Sequence, residues 1–119
     1  MGPLGQVSRT VSDLGRAVEW YGEVLGLKHL YTYGDLAFFD CDGTRLFLSA
    51  VEKVANESIL YFRVEDINAA YDDLRSRGVE FVKAPHMLFR HESGIEEWMA
   101  FFKDPDGHFT AIMAQVQGS

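Results

Sequence analysis

Several scarcities in this chain each exclude a class of protein. Among its 119 residues there is one cysteine, Cys41, so no disulfide can form within the chain. Cys41 reads as a small, half-buried residue beside the turn at 40–43 rather than as a reactive thiol, because no histidine stands near it in sequence. No apolar run approaches the roughly 18 residues that a membrane-spanning helix requires. The opening Met-Gly-Pro-Leu-Gly-Gln has neither the basic, apolar and small-residue order of a secretion signal nor a Ser or Thr at the sixth position for myristoylation. The expectation is a cytoplasmic protein without a membrane anchor. Basic residues are also few: 11 Lys and Arg against 18 Asp and Glu leave a formal net charge of −7. Nucleic acid is disfavoured as a partner, since phosphate binding needs a cationic surface that displaces counterions.

What is present is an ordinary packed composition, 47% hydrophobic and 24% charged, in a length suited to one domain over residues 1–119. Within it a pattern occurs twice. Val11-Ser12-Asp13-Leu14 opens a helical stretch that closes at Gly26, and Val64-Glu65-Asp66-Ile67 opens another that closes at Gly78. Asp42-Gly43 precedes one apolar strand and Asp106-Gly107 precedes another. Two modules, 4–52 and 57–116, follow from the repeat.

Each module reads as βαβββ. Residues 6–11 form a strand, and Asp13 then caps a helix carrying Leu14, Ala17, Val18, Tyr21 and Leu25 at helical spacing. Strands are predicted near 28–33, 36–40 and 45–50, with Gly34-Asp35 and Asp42-Gly43 as hairpin turns. After a polar connection at 51–57 comes a strand at 59–64. Asp66 caps a helix with Ile67, Ala70, Tyr71 and Leu74, and strands are predicted near 79–83, 97–103 and 108–114. The second module is about eleven residues longer, and this excess is assigned to a long loop between Pro85 and Glu96.

On Val11-Ser12-Asp13-Leu14, Trp20-Tyr21, Val24-Leu25-Gly26-Leu27 and Phe102-Lys103-Asp104-Pro105-Asp106-Gly107-His108, with the repeated layout, the chain resembles the vicinal oxygen chelate superfamily of glyoxalases, bleomycin-resistance proteins and ring-cleaving dioxygenases. The resemblance implies an α+β fold in which two βαβββ modules, related by a pseudo-twofold, form a cup-shaped cleft. It also implies a homodimer, since the family commonly pairs chains. In its metal-dependent members, one side chain on the first and one on the last strand of each module hold a divalent ion. Those positions here are Gln6, Phe47, Ile59 and Ala111. Three have no donor atom, so the usual metal site is predicted absent and no cofactor is expected.

Alternation along the strands places Ser8, Arg45, Ser49, Tyr61, Phe109 and Met113 on the same side as those four positions. The family layout adds Glu97, Met99 and Phe101. Phe47, Met99, Phe101, Phe109 and Met113 then surround a few polar groups, Gln6, Arg45, Tyr61 and Glu97, a mixture suited to a small, partly aromatic ligand. The same apolar residues taken singly also suit plain core packing.

Glu97 invites a second reading. Desolvation in an apolar cleft raises a carboxyl pKa unless a cation such as Arg45 compensates, so a metal-independent isomerase or lyase could use Glu97 as general base, with Tyr61 or Arg45 stabilising an enolate-like intermediate. A third is a metal enzyme with displaced ligands, because His86, His91, Glu92 and Glu96 fall in or beside the expected loop, although their spacing matches no established metal motif. His108 reads as turn structure, and His29 carries no visible partner. Arg9 conflicts with its surroundings: strand parity puts it on the helix-packing side. It either snorkels past the helix edge, pairs with an acid such as Glu19, or signals a register one residue off, in which case Gln6 leaves the pocket. Whether the protein is an enzyme stays open at this point.

Overall fold

A computed structural model describes residues 1–118, which fall into two compact units, Met1–Glu57 and a second beginning at Ser58. Each is a βαβββ module built on its own four-stranded sheet.

The first unit runs β1 (Gln6–Val11), α1 (Leu14–Glu19), β2 (Lys28–Tyr33), β3 (Leu36–Cys41) and β4 (Thr44–Ala50). Its strand order is β1-β4-β3-β2, with β1 parallel to β4 and the other pairs antiparallel. Asp13 adopts an extended conformation and its carboxylate accepts from Arg16 N at 3.0 Å, satisfying one of the amides that a helix start leaves open. After Glu19 the helix widens into a π turn, Trp20–Val24, in which Leu25 N donates to Trp20 O five residues back. Gly26, at φ 77°, then ends it where a left-handed residue is wanted. The π turn has no counterpart in the expected uninterrupted helix.

Ala17 and Tyr21 are buried together with Val11, Ala37, Phe39, Leu46 and Leu48, all at 2% exposure or less. These strand residues share one parity, and each large side chain among them contributes about 1.5–3 kcal/mol by leaving water. Arg9 has that parity too. It stays buried at 1% exposure and donates from Nη1 to the Tyr21 hydroxyl at 3.0 Å. The strand register therefore stands, and the guanidinium is accommodated inside the unit rather than carried past the helix edge. The polar connection 51–57 runs back along β1: Glu57 Oε1 accepts from Thr10 N at 2.9 Å and from Thr10 Oγ1 at 2.6 Å.

The second unit runs β5 (Leu60–Arg63), α2 (Ile67–Ser76), β6 (Phe81–Arg90), β7 (Ile95–Lys103) and β8 (Phe109–Gln117), in the order β5-β8-β7-β6. Asp66 caps α2 by accepting from Asn68 N and Ala69 N, each at 3.1 Å, as its counterpart Asp13 caps α1. Ile67, Leu74, Ala100, Phe102, Ile112 and Ala114 form the buried side. Between β7 and β8, Asp104 Oδ1 accepts from Asp106 N at 2.9 Å and His108 N at 2.8 Å, so His108 does belong to the turn.

The expected loop between Pro85 and Glu96 is a correction. The extra residues lengthen a hairpin: β6 reaches Arg90, β7 begins at Ile95, and only a tight turn closed by His91 N to Ile95 O (2.8 Å) and Gly94 N to His91 O (2.9 Å) joins them. Pro85 does not break β6 because β6 is the sheet edge, where a missing N–H costs no ladder bond. Register shifts between Phe81 and Lys83, Lys83 and His86, and Met87 and Phe89 absorb the irregular residues.

Candidate functional site

In each unit the strand residues expected to line a site lie on the sheet face opposite the helix. On the first, Gln6 lies beside Arg45, and Phe47 lies between Ser8 and Phe38. Three rings step across this face: Tyr31 and Phe38 at 4.7 Å between centroids with planes 27° apart, then Phe38 and Phe47 at 5.4 Å and 29°. The Arg45 guanidinium sits 5.5 Å from the Phe38 centroid, and its Nε donates to Gln6 Oε1 at 2.8 Å. A cation over an aromatic face at an exposed site contributes about 0.5–1 kcal/mol. The stack pre-orders a flat apolar surface with a cation at its margin.

Tyr31 and Phe38 were not among the expected lining residues. Phe38 was legible: a two-residue turn at Asp42-Gly43 sets Cys41 against Thr44, hence Phe38 against Phe47. Tyr31 was not, because the register shift between His29 and Tyr31 changes which residues of β2 face this way. The same shift turns His29 to the helix side, 5.3 Å from the Phe39 ring, with its Nε2 2.8 Å from Thr32 Oγ1, so His29 has partners after all.

On the second sheet the pairing forms rows. Tyr61, Ala111, Phe101 and Lys83 lie side by side from β5 to β6; the next row holds Arg63, Met113, Met99 and His86. Tyr61 stands edge-on to Phe101 at 6.1 Å and 81°. Lys103 Nζ lies 5.1 Å from the Phe109 ring centroid. Ala111, between Tyr61 and Phe101, is fully buried and so forms floor.

A third row pairs Gln115 with Glu97. Glu97 Oε2 accepts from His91 Nε2 at 2.7 Å and from Gln115 Nε2 at 2.8 Å. Those two hydrogen bonds, with the nearby charges of His91 and Arg63, outweigh desolvation and hold the carboxyl below the usual glutamate range. The groups that hold Glu97 are thus His91 and Gln115, in place of the expected Arg45, and its pKa moves opposite to the direction a buried base requires. Its neighbour Glu96 points to the other face, where Trp98 Nε1 at 3.0 Å and Arg90 Nε at 2.9 Å donate to it and likewise lower its pKa.

Of the four positions implied by the resemblance, only Gln6 has a side-chain donor atom. Gln6 already accepts from Arg45, Phe47 ends the ring stack, Ile59 stands just ahead of β5, and Ala111 is sealed into the sheet. Of the residues considered for a displaced site, His86 lies in β6 and His91 is engaged by Glu97; among the described residues no three His, Cys, Asp or Glu side chains gather to hold an ion. Burial, then the charge of Asp40, pushes the Cys41 thiol up, which keeps it protonated.

Two βαβββ units, each a sheet with its first and last strands parallel and an aromatic, polar open face, define the class of vicinal oxygen chelate folds. The chain belongs to the Glyoxalase/Bleomycin resistance protein/Dioxygenase superfamily, whose pattern matches residues 4–112. It is 30% identical to the uncharacterized protein YraH of Bacillus subtilis (strain 168), over 92% of this chain and 95% of that one. It is 28% identical to the metallothiol transferase FosB of Lysinibacillus sphaericus (strain C3-41), over 83% of this chain and 72% of FosB. The fold matches a glyoxalase/bleomycin resistance protein/dioxygenase from Nocardioides with a TM-score of 0.75 at 23% identity, covering 100% of this chain and 87% of that one.

Proposed function

We propose that this protein binds a small, partly aromatic molecule on the open faces of its sheets, without a metal ion at Gln6, Phe47, Ile59 and Ala111. The observation that carries this reading is Phe47: a position that would need an electron-pair donor to hold a metal is instead the end of the Tyr31–Phe38–Phe47 stack. A stacked ring offers a ligand dispersion and quadrupole contact, and no coordination. The polar residues beside the rings are pre-oriented, Arg45 by Gln6 and Glu97 by His91 and Gln115. Preorganisation of this kind lowers the cost of binding.

The relative FosB is named a metallothiol transferase. That chemistry does not carry over to a donor set of one glutamine. Binding is also favoured over an isomerase or lyase built on Glu97, because a carboxyl held below its usual range is a weaker proton acceptor. Glu97 serves here as a fixed hydrogen-bond acceptor. Native mass spectrometry and elemental analysis of protein taken from its host, purified without chelator, test the proposal. The expected result is a reproducible small-molecule adduct without stoichiometric metal; one equivalent of Ni, Zn, Fe or Mn per chain would overturn it. The same spectra report whether the chain is the homodimer we propose.

A further inference from the structure

The chain carries a net charge of −7, yet the open face of the second sheet is cationic. Arg63 on β5, Lys83 on β6 and Lys103 on β7 share that face, and Glu97 is its one carboxylate among the strand residues paired there. Glu97 is already taken up by His91 and Gln115. Among the described residues neither Arg63 nor Lys83 forms an ion pair, although Arg63 is near enough for its charge to help lower the Glu97 pKa. Unpaired cations of one sign on an acidic protein create a local field that draws anions.

The groups are also placed on either side of an apolar strip. Arg63 and His86 end a row whose middle is Met113 and Met99, roughly 14 Å from end to end at three interstrand spacings. Phe101 lies beside this strip, with Tyr61 edge-on to it and the His86 ring 6.1 Å away. His86 Nδ1 is 2.8 Å from Ala84 O. A carbonyl only accepts, so Nδ1 is the donor in this contact and Nε2 is left to face a ligand. Methionine sulfur and ring edges both favour a flat aromatic above them.

We propose that this face binds an aromatic carboxylate: the ring lies on Met99, Met113 and Phe101, and the carboxylate meets the fork of Arg63 or the ammonium of Lys83. Arginine suits the role because its planar donors match a carboxylate in bidentate fashion. His86 Nε2, not engaged by Ala84, meets a polar substituent on the ring of the same ligand. This assignment rests on the small-molecule reading above and adds the charge of the ligand to it.

Titration of the full chain with 2-naphthoate and with its neutral isostere 2-naphthamide, followed by calorimetry, separates the two claims. The naphthoate is expected to bind about tenfold more tightly, with the preference shrinking as salt is raised. Arg63→Gln is expected to cost naphthoate about fivefold and to leave naphthamide unchanged, with an unaltered circular dichroism spectrum showing that the variant folds. Lys83→Gln provides the second variant. Equal affinity for the two probes, or naphthoate binding untouched by both substitutions, overturns the carboxylate assignment and leaves the small-molecule reading standing. Failure of both probes to bind at millimolar concentration removes both. Loss of naphthoate binding in step with self-association would assign the face to a second copy of the chain, again overturning the proposal.

Discussion

Nε2 of His91 lies 2.7 Å from Oε2 of Glu97, and because a carboxylate only accepts, that nitrogen is the donor. The contact spans the turn of the β6–β7 hairpin and fixes its tip to the open face of the sheet. It also decides how Glu97 responds to acid. The folded-state pKa of Glu97 lies below that of the unfolded chain, so its stabilising contribution is present in full above the unfolded value of about 4.3 and is lost as pH falls through the folded one. Glu96 acts in the same direction. Urea unfolding of the wild type from pH 7 to pH 3 is therefore expected to show stability falling below about pH 4, and Glu97→Gln is expected to make that fall shallower. An unchanged acid limb in the variant would count against the assigned hydrogen bonds.

Tyr21→Phe removes the hydroxyl that accepts from the buried Arg9 guanidinium. Taking one partner from a buried polar group costs about 1–3 kcal/mol. Chemical denaturation should show a lower midpoint with an unchanged slope.

The two helix caps offer a paired test. Asp66→Ala leaves the amides of Asn68 and Ala69 without their acceptor, and Asp13→Ala does so for Arg16. Each is expected to lower stability by about 1 kcal/mol. Thermal unfolding of the single and double variants should give nearly additive losses, since each cap lies in its own unit.

Cys41 should react slowly. Its thiol pKa is raised by burial and by Asp40, so the thiolate fraction at pH 7 is small. Reaction with a chromogenic disulfide is expected to be slower than with free cysteine, and to reach the free rate once the protein is unfolded in urea.

The repeat, the caps at Asp13 and Asp66, the glycines that end both helices and the turn at Asp42-Gly43 were legible because each rests on local chemistry. A short carboxylate reaches amides two or three residues on, and a glycine admits a positive φ; neither needs a distant partner. Strand alternation extended that reach to the open faces, so Gln6, Arg45 and Phe47 were found together. Tertiary structure decided what local signals contradict or leave unmarked. Pro85 reads as a breaker until β6 proves to be an edge, and Tyr31 joins the ring stack only through a bulge in β2. Arg9 is sheltered by a tyrosine twelve residues away, and Glu97 meets Gln115 only because β7 pairs with β8. From the sequence by itself came the α+β repeat, which depends on residue identity. Which groups share an open face, and which partners they meet there, depends on pairing across strands, where separation along the chain carries no fixed distance.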